Sequence, residues 1–417
     1  MDFEPRRWWA GPLDVERLAW ESVSEAVSAA QAIAAARGIR AEVATAPAAI
    51  AASFGAIENL RIDGREAVAW APVSGFVEAA DGWVRLHGNY PHHAAAITRA
   101  LGASTRDELI EAVADMSASE VERAVTAERG LAVAVRSEEE WLAHPHGEVT
   151  ADDPWVSVDG HGERPALPQD PDEPLGGVRV LDLTRVIAGP TCSQLLACLG
   201  ADVLRIDRPD RPELLDQYLS NGMGKRSVAV DLATVPEKLE ELLATADVVL
   251  LGYRPGSLAR FGLDPDDLAR RHPHLVVGSL SAWGERGPWA NRPGFDSIVQ
   301  AASGIAAQCG SGGRPGALPV QALDHAAGYR MAAHLMRLLA EARAGIVRIS
   351  LLGAARTLLA YPPPPEQAAA PLKISTVEMP SPHGELALVP PPLTLDGATI
   401  ERGLTEYAGA ELSWNQR

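Results

Sequence analysis

Runs of apolar residues alternate with helical stretches through the second half of the chain. The apolar runs are VRVLDL at 178–183, DVLRIDR at 202–208, DVVLL at 247–251 and HLVVGSL at 274–280. Strands of this kind, separated by helices, are typical of βαβ units and a mostly parallel sheet.

Ligands of parallel sheets bind outside the carboxyl ends of the strands. The loops of interest are therefore 184–190, 207–213, 252–257 and 281–288.

The first half has a different, mixed pattern. Residues 15–37 form an Ala-rich helical stretch, and short strand-like runs follow it. Two later helical patterns, DELIEAVADM and ASEVERAVTAE, each follow residues that can cap a helix: Ser104 or Thr105, and Ser117 or Ser119.

An acidic, proline-rich stretch separates the two halves. Residues 148–175 hold eight acidic residues, five prolines and one arginine, which predicts an extended linker. The sequence thus predicts an α/β protein: a small α+β domain at 1–147, the linker at 148–175, and a large domain with a Rossmann-like, mostly parallel sheet at 176–417.

Charge and cysteine content narrow the functional classes. Lys+Arg 37 against Asp+Glu 55 gives a net charge of −18, so nucleic acid and anionic membranes are not expected partners. Three cysteines exclude a disulfide scaffold. The first twenty residues contain acids and no apolar leader, which predicts a cytoplasmic location.

Several common motifs are absent. The first βα loop, TRVIAGP, lacks the glycines of a dinucleotide fingerprint, and GMGKRS at 222–227 lacks the first glycine of a phosphate loop. No G-x-S-x-G elbow is present. The histidine pairs have no spacing that brings carboxylates or thiolates to them, so no metal is expected.

Three segments together carry a specific resemblance. They are PLGGVRVLDLTRVIAGPTCSQLLACLGADVLRIDRP (174–209), GMGKRSVAVDL with ADVVLLGYRPGSLARFGL (222–263), and SAWGERGPWANRPGFDSIVQAASGIA with LPVQALDHAAGYRMAAHLMRLL (281–339). In this order they resemble the family III CoA-transferases, the carnitine-dehydratase and bile-acid-inducible group that includes formyl-CoA transferase and the α-methylacyl-CoA racemases.

The resemblance implies a site. Its nucleophilic aspartate corresponds to Asp324, and its CoA-contacting positions correspond to Ile187, Ala188, Arg208, Gly252, Tyr253, Arg254, Arg260, Phe295 and Asp296. Independently of the family, Arg205, Arg208, Lys225, Arg226, Arg254 and Arg260 are basic residues near predicted strand ends, where they would supply phosphate contacts. Acyl-CoA and a carboxylic acid are the implied substrates, with no tightly bound cofactor.

Asp324 has a second, structural interpretation. It precedes a helix whose apolar residues recur at helical spacing, so it could simply cap that helix. Both roles are compatible, because a helix N-terminus stabilises a carboxylate as an anion and would keep it ionised at neutral pH.

The family chemistry implied is CoA transfer through an aspartyl anhydride and an aspartyl-CoA thioester. The racemase branch has a histidine base where this chain has Phe295, with His325 as the remaining candidate base. An acyl-CoA racemase or isomerase and a catalytically silent acyl-CoA-binding protein are the alternatives. The segments at 74–102 and 134–147 resemble the family's small domain, placed first here, and a homodimer is expected.

Overall fold

The structure is a computed structural model that describes residues 3–169 and 172–415. Its α-helices, in chain order, are α1 Val15–Ala36, α2 Pro47–Phe54, α3 Ala56–Asn59, α4 Pro91–Leu101, α5 Arg106–Val113, α6 Ala118–Ala127, α7 Glu138–Leu142, α8 Pro145–Thr150, α9 Ala188–Cys198, α10 Leu215–Asn221, α11 Pro236–Thr245, α12 Pro265–Arg271, α13 Asp296–Ser303, α14 Ile305–Gln308, α15 Ala322–Ala340 and α16 Leu351–Leu359.

The strands, in chain order, are β1 Val43–Ala44, β2 Arg61–Ile62, β3 Arg65–Glu66, β4 Gly75–Ala79, β5 Gly82–Leu86, β6 Ala132–Ala134, β7 Val156–Glu163, β8 Arg179–Leu183, β9 Asp202–Asp207, β10 Lys225–Ala229, β11 Val248–Leu251, β12 Val276–Ser281, β13 Arg343–Ser350, β14 Val377–Ser381, β15 Gly384–Leu388, β16 Thr394–Leu395 and β17 Ala398–Thr399. Short 3₁₀ turns lie at Leu232–Thr234 and Ala259–Phe261.

A seven-stranded sheet organises the second half. Its order is β10-β9-β8-β11-β12-β13-β7, and every neighbouring pair is parallel except β13 with β7. The apolar residues of the central strands are buried on both faces, as expected when helices cover both sides of a sheet. The predicted α/β class with a Rossmann-like sheet is confirmed.

The interpretation of 148–175 as an extended linker has to be corrected. Residues 145–150 form α8, and 156–163 form β7, an edge strand antiparallel to β13. An edge strand exposes part of its surface to water, so polar and acidic residues are tolerated there, and Pro154 and Pro165 flank the strand instead of interrupting it.

The N-terminal segment also differs from the prediction of a separate domain at 1–147. Helix α1 lies along α15, and its buried residues Leu18, Val23 and Ile33 join the core of the parallel sheet. Strand β2 pairs with β15, and β1 pairs with β16, so strands from the N-terminal segment and from the C-terminal segment form common sheets. An alanine-rich face lets α1 approach α15 closely, which composition alone did not reveal.

A smaller α+β unit does exist within the predicted domain. Strands β4, β5 and β6 form an antiparallel sheet with a separate apolar core that helices α4, α5 and α6 cover. Thr105 and Ser117 cap α5 and α6 in complete capping boxes, which confirms one of the two residues predicted for each helix.

Among the described residues, no helix combines the length and the apolarity that crossing a bilayer requires.

Helices α15 and α9 approach each other at a glycine. A Cβ atom on Gly328 would collide with the carbonyl oxygen of Ala188 and lie 2.9 Å from Cβ of Thr191. Because α9 follows the first βα loop, this contact fixes the distance between that loop and the N-terminal turn of α15.

We predict that Gly328→Ala lowers the free energy of unfolding by about 1–2 kcal/mol, since the clash with a backbone oxygen outweighs the roughly 1 kcal/mol that alanine gains in a helix. Chemical denaturation measures this. Gly403→Ala is the matched control, because its added Cβ meets nothing within 4 Å. Equal stability of the two variants would contradict the close approach.

Candidate active site

A cleft opens where the strand order of the parallel sheet reverses. Strands β8 and β11 are neighbours, and the chain leaves them towards opposite sides of the sheet, which is where ligands bind in open α/β folds. The cleft is lined by Ile57, Glu58, Ala69, Trp70, His87, Asn89, Tyr90, Val186, Ile187, Leu214, Gln217, Phe295, Gln321 and Asp324.

Asp324 reaches this cleft from the first turn of α15. The residue is 5% exposed, and its surroundings combine the first βα loop with residues from the N-terminal half. A carboxyl group that is almost buried, yet lines a cleft, can meet a bound molecule while water is largely excluded.

Asp296 holds the turn that carries Asp324. Its carboxylate accepts hydrogen bonds from the backbone N–H groups of Leu323 at 2.9 Å and Asp324 at 3.1 Å, and from the side-chain amide of Gln300. Asp296 is fully buried. The prediction that it contacts CoA is therefore corrected: it caps α15 from within the core.

The two carboxyl groups influence each other's protonation. Burial raises the pKa of Asp296 to about 6, against the hydrogen bonds that favour its charged form. Burial, and then the nearby charge of Asp296, raise the pKa of Asp324 well above its usual range. The expected stabilisation of the Asp324 anion by the helix N-terminus is opposed here, because Asp296 accepts the N–H groups of Leu323 and Asp324 and adds a second negative charge.

The first βα loop is anchored by Glu213. Val186 has a left-handed backbone (φ 70°), which is unusual for a β-branched residue, and its N–H donates to Glu213 at 3.0 Å. Glu213 also pairs with the buried Arg205 at 2.9 Å and accepts a hydrogen bond from the Tyr90 hydroxyl. Burial raises the pKa of Glu213, but Arg205 and Arg185 together lower it to about 2. Arg205 thus forms ion pairs inside the core, and the prediction that it contacts a phosphate is corrected.

The loops after β8 and β11 touch. A Cβ atom on Gly252 would lie 3.0 Å from Cβ of Thr184, so only a small residue fits there. Tyr253 follows, half-buried, and the positive charge of Arg185 acts on its hydroxyl. The structure therefore brings two of the predicted loops into contact, and the first of them lines the cleft through Val186 and Ile187.

Two of three predicted CoA contacts, Ile187, Ala188 and Phe295, line the cleft. Ile187 and Phe295 line the cleft, and the Phe295 ring lies 4.4 Å from that of His87. Ala188 is 2% exposed and lies behind the lining, against Gly328.

Unpaired positive charges gather beside the cleft. Within the described ranges, the side chains of Arg211 and Arg254 are exposed and form no hydrogen bond or ion pair. Burial first, and then His92 and the positive charges of Arg185, Arg211 and Arg254, lower the pKa of His93 to about 3. Arg185 and Arg211 were missed, although both lie in loops that the sheet topology had singled out.

Lys225 and Arg226 are used within the fold. The Lys225 ammonium is fully buried and donates to Ser193 at 2.9 Å and to the Pro190 carbonyl at 3.1 Å. Arg226 pairs with Asp202 at 2.8 Å, at the start of β9 and away from the carboxyl ends of the strands. The prediction that these two contact CoA is corrected.

Arg208 and Arg260 lie together in a second surface cleft, beside Phe261 and Arg271. Arg208 pairs with Asp210 at 2.6 Å, with nearly half of its side chain exposed. Arg260 lies over the Phe261 ring at 4.5 Å. Both stay predicted CoA contacts on this second surface.

His325 points away from the cleft. The ring is 3% exposed, its Nδ1 lies 3.2 Å from the Thr191 hydroxyl, and its centroid is 5.2 Å from that of Phe54. Adjacent residues on a helix diverge, so Asp324 faces the cleft and His325 faces the core.

Part of the chain is similar in sequence to known CoA-transferases. The chain is 40% identical over 196 residues to a probable fatty acyl-CoA transferase, Rv3272, of Mycobacterium tuberculosis, covering 43% of this chain and 50% of that protein. It is 37% identical over 153 residues to a succinate–glutarate CoA-transferase of Agrobacterium fabrum, covering 32% and 38%. The matched segment thus spans half or less of these relatives.

The crystal structure of Rv3272 in its orthorhombic form shares 38% identity with a TM-score of 0.42, and the match covers 46% of this chain and 57% of that one. The model of CoA-transferase family III matches residues 175–387, just over half of the chain and the part that holds β8, β11 and Asp324. The chain belongs to CoA-transferase family III.

Proposed function

We propose that this protein transfers CoA between an acyl-CoA and a carboxylic acid, with Asp324 as the nucleophile. The observation that carries the proposal is the position of Asp324, almost buried and lining the cleft at the reversal of strand order.

The proposed reaction follows from a carboxylate at this position. The Asp324 carboxylate attacks the thioester carbonyl, which forms a mixed anhydride and expels CoA thiolate. The thiolate then attacks the aspartyl carbonyl, which releases the donor acid and leaves an aspartyl-CoA thioester. An acceptor carboxylate attacks that thioester, and the returning thiolate takes the new acyl group and frees Asp324.

The charge distribution supports a polyanionic substrate. The chain as a whole is strongly acidic, yet Arg185, which pairs with Glu213, and the exposed Arg211 and Arg254, which form no ion pair among the described residues, all add positive charge near His93. Guanidinium groups bind phosphate oxygens through charge-assisted hydrogen bonds, so we place the CoA phosphates there.

Proton abstraction by two bases is less well supported. Phe295 has no proton to exchange, and His325 is buried against Thr191 on the core side of α15. A racemase or isomerase would need a second base within the cleft, and His87 is the lining residue of that type. Burial lowers its pKa well below the usual range.

A homodimer and a cytoplasmic location stay predictions. The acyl donor and acceptor are proposed as classes only: an acyl-CoA thioester and a carboxylate.

We predict that Asp324→Asn lowers CoA exchange at least about a thousandfold and changes the affinity for CoA by less than about threefold. It raises the melting temperature near neutral pH, because the raised pKa of Asp324 means that the contribution of this one group to folding is most favourable below pH 4 and is lost as the pH rises. Exchange assays, calorimetric titration and thermal melting measure these three quantities.

Asp107→Asn is the matched control, since Asp107 also lies in the first turn of a helix but is exposed. Trapping with hydroxylamine distinguishes the alternatives: acyl-CoA should label the wild type at Asp324. CoA binding with no label and no exchange would point to a silent binding protein, and α-proton exchange without label would point to a racemase.

We predict that Arg254→Gln weakens CoA binding about tenfold at low salt and less at high salt, since mobile ions screen an exposed charge. Arg270→Gln is the control, because Arg270 is also exposed and pairs with Asp267 on α12. A loss of affinity that is independent of salt would contradict a phosphate contact.

We predict that exchange rises with pH along a limb above about 6, because Asp296 ionises first and its charge then opposes ionisation of Asp324. Initial rates across a pH series at constant ionic strength measure it. A limb near pH 4, the usual carboxyl range, would show that neither burial nor the charge of Asp296 raises the pKa of Asp324.

A further inference from the structure

A histidine of the N-terminal half lies in the cleft that Asp324 reaches. His87 directly follows β5, and its backbone N–H donates to the Leu131 carbonyl at 3.1 Å, next to β6. Its ring lines the cleft together with Asp324 and is 4% exposed. His87 is therefore fixed at the end of a strand, and it borders the same space as the carboxyl group.

The first turn of α13 connects His87 with the turn that carries Asp324. The His87 ring centroid lies 4.4 Å from that of Phe295, the residue before α13, and its Nδ1 lies 3.5 Å from the Ser297 hydroxyl. Asp296, between these two residues, accepts the N–H of Asp324 at 3.1 Å. Three consecutive residues thus contact both parts of the site.

The second ring nitrogen of His87 has no partner in the protein. Within residues 3–169 and 172–415, Nε2 forms no hydrogen bond or ion pair, whereas Nδ1 faces Ser297. A hydroxyl that donates to Nδ1 leaves the imidazole proton on Nε2. Burial first, and then Arg85 and His93, lower the pKa of His87 well below its usual range, so the ring is neutral at neutral pH.

Several other neutral donors that line the cleft already have partners. The Tyr90 hydroxyl donates to Glu213. The side-chain amide of Asn89 donates to a backbone carbonyl at 3.0 Å, and that of Gln217 donates to a serine hydroxyl at 3.2 Å. These groups hold the walls of the cleft and are not available to a bound molecule.

Trp70 and Gln321 are the remaining donors of this kind in the described lining, and water reaches both. Trp70 is 39% exposed and Gln321 is half-buried, against 4% for His87. A donor that is shielded from water stabilises a developing charge more strongly than a solvated one. His87 is therefore the best placed of the three.

A thioester that is attacked by a carboxylate needs such a donor. The attack moves an electron pair onto the carbonyl oxygen, and a hydrogen-bond donor that is already in position stabilises this charge. A protonated imidazole would form an ion pair with Asp324 and weaken it as a nucleophile. A neutral ring donates a hydrogen bond and leaves the carboxylate free.

We propose that His87 is a catalytic residue of the proposed transfer, and that its Nε2–H donates a hydrogen bond to the carbonyl oxygen of the thioester that Asp324 attacks. As an Asp324 oxygen bonds to the carbonyl carbon, the C=O electron pair moves to oxygen and is stabilised there. When the C–S bond breaks, its electron pair leaves with sulfur as CoA thiolate, and the carbonyl re-forms. His87 keeps its proton throughout. This role rests on the proposed CoA transfer, but the contact with the carbonyl oxygen does not require turnover.

Transfer kinetics separate this role from a packing role. His87→Phe should lower kcat about a hundredfold and change KM less than about threefold, since the donor acts mainly on the transition state. His87→Gln, which keeps an N–H group, should stay within about tenfold of the wild type. His161→Phe is the control, because His161 is exposed on β7. A loss in His87→Gln as large as in His87→Phe would overturn the proposal.

Infrared spectroscopy of a bound thioester tests the contact without turnover. Butyryl-CoA with carbon-13 at the thioester carbonyl is bound at saturation to Asp324→Asn, which cannot form the anhydride. The carbonyl stretch should lie at a lower frequency than in free butyryl-CoA, because a hydrogen bond to the oxygen weakens the C=O bond. Adding His87→Phe should remove this shift, and adding His161→Phe should keep it.

The outcomes distinguish the contact from the transfer reaction. A shift that survives His87→Phe but is lost in Trp70→Phe or Gln321→Met would overturn the assignment, and so would the absence of any shift in Asp324→Asn. If the shift depends on His87 but the wild type exchanges no CoA, the contact stands and the transfer proposal fails. If CoA is exchanged at an unchanged rate by His87→Phe, the transfer proposal stands and the role of His87 fails.

Discussion

The hydrogen bonds from the first turn of α15 to Asp296 determine where the reactive chemistry can occur. They fix the backbone of Leu323 and Asp324 against α13, and they place a buried negative charge beside a second carboxyl group. Asp296 thus fixes the position of Asp324 and, after burial, contributes to the raised pKa of that carboxyl group.

Other close contacts bring the remaining parts of the site to Asp324. Gly328 allows α15 to approach α9, and Gly252 allows the loop after β11 to touch Thr184. The buried group of Arg205, Glu213 and Tyr90 ties the N-terminal half to the parallel sheet. Two features of this arrangement are unfavourable for folding: the left-handed backbone of Val186 and the two neighbouring buried carboxyl groups.

The parallel sheet and the position of Asp324 could be predicted, whereas much of the surrounding site could not. A continuous run of apolar residues indicates a strand that is buried on both faces, and the family motifs identified Asp324 from the sequence. Lys225 was misjudged because burial depends on neighbours distant in sequence, here Pro190 and Ser193.

The central claim is that the Asp324 carboxyl group becomes covalently bound to the acyl group during transfer. The most direct test uses an acceptor acid whose carboxylate carries heavy oxygen, followed by mass spectrometry of the peptide that contains Asp324. Attack by the acceptor on an aspartyl-CoA thioester leaves one acceptor oxygen in the aspartate, so the account predicts one heavy oxygen atom at Asp324 after a single turnover. Turnover that leaves Asp324 unlabelled, or that places the label at Asp296, would contradict it.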